Sequence, residues 1–156
     1  MKIAVGCDEA GYDLKELVKR FLSEQSVEVD DYGTHDRKPV LYPDVAFAVA
    51  EAVAAGKHDR AILCCGTGIG MAICANKVRG VRAALAHDVY SAERARKSND
   101  AQVLALGGRV IGPELAKTIV AAWLRCEFEP RSAEKVARIE AYEAARSVVE
   151  PGPKGR

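Results

Sequence analysis

The residues best able to do chemistry fall in two short stretches, Cys7-Asp8-Glu9-Ala10-Gly11 near the start and Cys64-Cys65-Gly66-Thr67-Gly68-Ile69-Gly70 further on. The first sets two carboxylates directly behind a thiol. The second runs two thiols into a loop with three glycines, followed by what reads as the start of a helix. Its Gly-Thr-Gly-Ile-Gly fits Gly-x-Gly-x-Gly and not the Gly-x-Gly-x-x-Gly of dinucleotide sites. It also follows the third predicted strand, not the first, and the usual acidic ribose partner is not evident further on. No Gly-Lys-Ser/Thr follows, so the Walker phosphate loop is absent as well. Two readings remain, a tight strand-to-helix turn without chemistry and a loop built around one reactive thiol. A helix N-terminus presents free N–H groups and positive potential. A thiol at its mouth ionises more readily, and the same amides can hold a developing oxyanion. A thiolate beside such a cradle suits proton abstraction next to a carbonyl.

The surrounding pattern alternates short apolar runs with longer amphipathic ones. Strands are predicted at Ile3–Cys7, Val27–Asp31, Ala61–Cys65, Val81–Ala86 and Val103–Leu106. Helices are predicted at Tyr12–Ser23, Pro43–Ala55, Ile69–Lys77, Val89–Lys97 and Pro113–Arg125, with a further one at Ser132–Arg146. Lys15, Leu17, Val18, Phe21 and Leu22 fall at helical spacing with charge on the other face. Pro43 and Pro113 sit where a first helical turn accepts proline. Ala61-Ile62-Leu63-Cys64-Cys65 is apolar throughout, as a strand buried on both faces of a parallel sheet must be. Five β–α units predict a three-layer α/β/α sandwich, Rossmann-like and of flavodoxin type, with right-handed crossovers, plus a C-terminal helix. In such a sheet ligands bind beyond the carboxyl ends of the strands, where strand order reverses. For a flavodoxin-like order that point lies between the first and third strands, which end in the two stretches above.

The chain's 156 residues suit one domain, read as 1–150 with a frayed tail at 151–156. Composition is that of a soluble globular protein, and a net charge of +1 gives no basis for a nucleic-acid or acidic-membrane partner. No run is long enough to span a bilayer, and the N-terminal apolar run is too short for a signal peptide. The five cysteines include no Cys-x-x-Cys, so neither a disulfide framework nor a zinc site is expected, and a reducing cytoplasm fits best.

Beyond these features, the chain resembles the type B ribose 5-phosphate isomerases and the related galactose 6-phosphate isomerase subunits, from about Lys2 to Tyr142. The resemblance is carried by GCDEAG, Tyr42-Pro43-Asp44, CGTGIG, Ala75-Asn76-Lys77, GVRAA, YSAERAR, SNDAQVLALGGRVIG and the closing Arg131, Lys135, Val136 and Ile139. It implies an aldose–ketose isomerase of sugar phosphates without metal or organic cofactor. By that resemblance Cys65 moves the proton between carbon 1 and carbon 2 through a cis-enediol. Cys64, its strand neighbour, points to the opposite face. Thr67 assists at the reacting oxygens, the amides of Gly66 to Gly70 cradle the enediolate, and Asp8 holds a sugar hydroxyl. Tyr42, Gly66, Gly68 and Gly70 line the substrate, and Asn99 reaches it from a partner subunit. Arg109, Arg131 and Lys135 are the phosphate-binding positions, Lys135 without the bidentate fork of an arginine. A homodimer or dimer of dimers with the site at the interface follows. Cys7, Cys74 and Cys126 read as buried small residues, and His35, His58 and His87 as surface or loop residues.

Two positions depart from the pentose isomerases. Glu9 and Ser98 stand where those enzymes carry histidines, the second assigned to opening the sugar ring. Serine is no base near neutral pH unaided, and a glutamate beside a phosphate repels it. A tetrose 4-phosphate has its 4-hydroxyl esterified and forms no five-membered ring, so it needs no ring-opening group. The Ser98 pattern also resembles the branch acting on D-erythrulose 4-phosphate. The other reading keeps a pentose and lets another group or water open the ring, with Glu9 on a hydroxyl. A different class of function, a non-catalytic sugar-phosphate-binding subunit of a mixed assembly, is opposed by the intact Cys-Gly-Thr-Gly.

Overall fold

A computed structural model describes residues 1–146. The strands are β1 (Lys2–Cys7), β2 (Glu28–Asp31), β3 (Arg60–Cys65), β4 (Ala83–Leu85) and β5 (Val103–Gly107). The helices are α1 (Tyr12–Glu24), α2 (Tyr42–Ala54), α3 (Ile69–Ala75), α4 (Val89–Lys97), α5 (Pro113–Arg125) and α6 (Ala133–Arg146). All five strands are parallel, in the order β2-β1-β3-β5-β4. The expected switch point between β1 and β3 is present. Relative to the flavodoxin order the last two strands are exchanged, which puts β5 beside β3 and leaves β4 at the edge. The predicted Val81–Ala86 strand is correspondingly short, because an edge strand pairs on one side only. The tail read at 151–156 lies outside the described residues.

Side chains alternate across the sheet. Ile3, Val5, Ile62, Cys64, Leu104 and Leu106 point into one core with α1, α4, α5 and Trp123. Ala4, Ala61, Leu63, Cys65, Val103 and Ala105 point into the other, under α2 and α3. The second core is rich in alanine, so its helices sit close to the sheet. β3 is buried at every position, as its unbroken apolar run demands. Proline stands in the first turns of α2 and α5, as expected.

Four buried polar side chains do work that helical spacing and strand runs do not reveal. Lys15 lies fully buried on α1, on the inward face with Val18 and Leu22, as its spacing predicts. Its Nζ donates to both carboxylate oxygens of Asp31, at 2.8 and 2.7 Å, and to the Thr34 carbonyl at 2.8 Å. The Thr34 amide in turn donates to the Cys7 carbonyl at 2.8 Å, so the segment after β2 is tied to the end of β1. Arg60 opens β3 and closes α5, donating to the carbonyls of Trp123, Leu124 and Cys126 while stacking on the Trp123 ring. Arg96 donates to the Ala101 carbonyl and pairs with Asp100. His58, read as a surface or loop residue, is a loop residue but a buried one, 2.9 Å from Asp30.

Burial works against ionisation of Asp31, but Lys15, Lys19 and the Gly33 amide outweigh it and hold its carboxyl below the usual range. A depressed folded pKa adds stability above the unfolded value and loses it as pH falls through the folded one. Lys15→Met leaves Asp31 short of its main partner and is expected to cost about 3 kcal/mol at pH 7. Urea unfolding should show that gap between variant and wild type narrowing as pH drops below about 4.

Candidate active site

Three strand ends converge at the carboxyl edge of the sheet. The Asp8 amide donates to the Cys64 carbonyl at 3.3 Å, joining the ends of β1 and β3. The Gly108 and Arg109 amides donate to the carbonyls of Cys65 and Gly66, at 2.8 and 3.0 Å, joining β3 to the turn after β5. Gly11 packs directly on the Cys64–Cys65 peptide, where a Cβ would lie 2.3 Å from the Cys64 carbonyl oxygen. No residue with a side chain fits there.

Cys65 is the last residue of β3, and the chain then turns back on itself. Gly68 takes a left-handed conformation, φ +79°, and its amide donates to Cys65 Sγ at 3.0 Å. The sulfur of Cys65 thus carries a hydrogen-bond donor suited to a thiolate. Cys64 faces the opposite core, as the alternation predicts, and burial pushes its thiol well up. Burial likewise pushes Cys7 up to about 12 and raises Cys74. Those three thiols are held protonated, in keeping with the buried, unreactive role read for Cys7 and Cys74, and Cys126 is buried too. The Thr67 hydroxyl oxygen accepts from the Ile69 amide at 3.4 Å, which leaves its own proton free for an incoming oxygen. The amides of Thr67 and Gly70 have no partner among the described residues and complete the rim of the loop.

Asp8 begins the single 3₁₀ turn before α1, with Oδ1 accepting from the Gly11 amide at 2.9 Å. Burial raises its carboxyl pKa and the neighbouring Glu9 adds to this, against the pull of the Gly11 and Ala10 amides and of Arg109. Capping of this turn by Oδ1 leaves Oδ2 for the substrate contact expected of Asp8. Glu9 turns outward and accepts from the Val40 amide at 3.2 Å, pinning the segment before α2. Tyr42 opens α2 with its ring against Gly70, where a Cβ would lie 2.6 Å from the ring. The Arg109 side chain lies over Gly66, 3.6 Å from the Cβ position there.

The remaining expected site residues lie elsewhere in the chain. Ser98 and Asn99 follow α4 and precede β5, so they sit at the amino end of the sheet. Arg82 holds this turn by donating to the Asn99 and Asp100 carbonyls and to the Asp100 carboxylate, and it also pairs with Glu140 of α6. Arg131 pairs with Glu129, which itself pairs with Arg94 of α4 and donates its amide to Lys97. Lys135 is exposed on α6. One chain therefore gathers Asp8, Glu9, Tyr42, Cys65, Thr67, Gly66, Gly68, Gly70 and Arg109 at one end of the sheet. It carries Ser98, Asn99, Arg131 and Lys135 at the other. The three positions expected to bind phosphate do not meet within one chain.

Over residues 3–141 the chain matches the family described as Ribose/Galactose Isomerase. The chain belongs to that family. It is 56% identical to D-erythrulose-4-phosphate isomerase of Pectobacterium atrosepticum, over 92% of this chain and 95% of that one. It is 52% identical to Ribose-5-P isomerase B of Listeria innocua, over 90% and 95%. The solved structure of Clostridium thermocellum ribose-5-phosphate isomerase B superposes with a TM-score of 0.91 at 48% identity, over 93% of this chain and 99% of that one. Fold, family and enzyme class, a sugar-phosphate isomerase, agree with the sequence reading.

Sequence reasoning missed Asn76, whose side-chain amide bonds both backbone groups of Ala83 on the edge strand, at 2.9 and 2.8 Å. The signal was present in Ala75-Asn76-Lys77, where an amide side chain ends a short helix just before a strand.

Gly68 combines a special backbone conformation with close packing. A Cβ there would lie 2.6 Å from Leu85 Cδ1 and 2.9 Å from the Leu106 backbone, on a left-handed residue. Gly68→Ala is expected to cost roughly 2 kcal/mol or more in thermal or urea unfolding. It should also lower kcat at least about tenfold by moving the amide away from Cys65.

Proposed function

We propose that this protein interconverts an aldose and a ketose phosphate through a cis-enediolate, without a cofactor, in the manner of ribose 5-phosphate and ribulose 5-phosphate. The observation that carries this reading is the Cys65 sulfur under the Gly68 amide, at the meeting of three strand ends. The Cys65 thiolate takes the proton from carbon 2 of the open-chain aldose and returns it to carbon 1, so the thiol is regenerated as thiolate after each cycle. Charge that develops on the carbonyl oxygen in between is met by the Thr67 hydroxyl and the free amides of the loop, and the proton of the 2-hydroxyl passes to that oxygen as the carbonyl moves to carbon 2. Asp8 holds a substrate hydroxyl through its uncapped oxygen, and Glu9 and Tyr42 wall the mouth.

The working form is a homodimer or a dimer of dimers. Support comes from the division of the site, since Ser98, Asn99, Arg131 and Lys135 reach a Cys65 only if it belongs to another copy. A second support is the apolar surface beside the site. Ile69 and Ile73 of α3 are 51% and 55% exposed, and Leu41, Tyr42 and Leu85 flank them. Its five free thiols suit a reducing cytoplasm.

A second reading, D-erythrulose 4-phosphate as substrate, is favoured by one observation. The position expected to open a sugar ring is Ser98, a group with no base near neutral pH. The relative at 56% identity carries that activity in its name.

Turnover of the purified chain on ribose 5-phosphate and on D-erythrulose 4-phosphate decides between the two by kcat/KM. Activity of the single chain on either excludes a merely binding subunit. Cys65→Ala is expected to lower kcat by about three orders of magnitude or more with the fold intact by circular dichroism, whereas Cys64→Ala stays active. Retention of near-wild-type turnover in Cys65→Ala would refute the mechanism. For the shared site, mixing inactive Cys65→Ala with inactive Asn99→Ala chains should restore roughly a quarter of wild-type activity, because each mixed dimer holds one intact site. No recovery after subunit exchange would refute a site completed by Asn99 of another copy.

A further inference from the structure

The three histidines occupy three different settings. His35 is exposed beside Asp31, and His58 is buried next to Asp30 at the amino end of the sheet. His87 is the one at the carboxyl end, just past β4. Its Nε2 lies 3.0 Å from the Gly107 amide. An amide nitrogen can only donate, so Nε2 carries the lone pair and the ring is neutral with its proton on Nδ1.

Gly107 is the strand partner of Cys65. It is also where the backbone around the site is anchored. Its carbonyl accepts from Val110 and Ile111, and the next two residues bond back to Cys65 and Gly66. Gly68 rests on Leu106 directly before it. The Gly107 amide faces β4, but β4 stops pairing once the Ala86 amide has reached the Ala105 carbonyl. The imidazole supplies the acceptor that the strand no longer provides. A Cβ on Gly107 would lie 2.9 Å from His87 Nε2 and 2.8 Å from the Thr67 carbonyl oxygen, so ring and catalytic loop flank the same point. In-register residues share a face, which puts this point on the Cys65 side of the sheet.

We infer that His87 is a positioning residue for the isomerisation: as a neutral acceptor it fixes the Gly107 amide, and through it the end of β5 that supports the Cys65–Gly68 turn. The inference rests on the isomerase reading above. Removing the ring leaves a part-buried N–H without a partner and lets the catalytic turn shift, and small misplacements of reacting groups are costly.

The test compares His87→Ala, which deletes the acceptor, with His87→Gln, whose amide oxygen can replace Nε2. Steady-state kinetics are read on whichever sugar phosphate the wild type turns over. Hydrogen exchange of the Gly107 amide is followed by NMR in all three proteins. His87→Ala should lose about tenfold in kcat with KM changed less than about threefold, and its Gly107 amide should exchange faster. His87→Gln should recover most of the kcat and the protection. Wild-type kcat in His87→Ala overturns the inference. So does a His87→Gln enzyme that protects Gly107 yet turns over no faster than His87→Ala, which would make the ring a proton carrier. An inactive wild type, by contrast, would mark failure of the isomerase reading, and the exchange data would still show whether His87 holds Gly107.

Discussion

The candidate site depends on four residues of backbone, Cys65 to Gly68, turning tightly enough for an amide to meet the sulfur three residues before it. The turn requires a left-handed residue, and the wall behind it, Leu85 and the Leu106 backbone, leaves no room for a side chain. Conformation and packing therefore demand glycine for independent reasons. The same turn fixes which of two adjacent thiols is used. Cys64 ends in an apolar core and Cys65 under an N–H donor, although they are neighbours in sequence.

Much of this was legible in the residues. Period-two alternation separated Cys64 from Cys65, the unbroken apolar run identified β3 as a central strand, and β1 and β3 flank the switch point as predicted. The order of the last two strands was not legible, because both β5-β4 and β4-β5 satisfy the same apolar runs and helix lengths. The separation of Asn99 from Cys65 could have been read from topology alone. In a β–α–β unit the residues after a strand and those after the next helix lie at opposite ends of the sheet. The buried charges were hidden for another reason. Lys15 shares the inward spacing of Val18 and Leu22, but its partners Asp31 and Thr34 lie far along the chain and are known only once the fold brings them to it. Arg60 stands one residue before the predicted start of β3, and nothing in the sequence signals that it opens that strand and closes α5.

The two ends of the sheet serve different purposes. The carboxyl end holds the groups proposed to touch reacting atoms, on short turns locked to one another by backbone bonds. The amino end holds Ser98 and Asn99 on a turn braced by the arginines Arg82 and Arg96 through Asp100. Such bracing suits the role proposed for these residues, contact with the site of another copy. Arg82 also reaches Glu140, which ties the Asn99 turn to the helix bearing Lys135.

The pairing of the Asn76 amide with Ala83 bears on how copies of this chain can meet. An edge strand with free backbone groups is a template for another strand, the route to continuous sheets and to amyloid. At β4 that template is occupied by a side chain that mimics a peptide unit, and at β2 the opposite edge is lined with charge from Glu28 and Asp30 paired to Lys2. Growth of the sheet is blocked on both flanks. Copies that pair as proposed are thereby steered to dock through side chains and away from edge-to-edge sheet contacts.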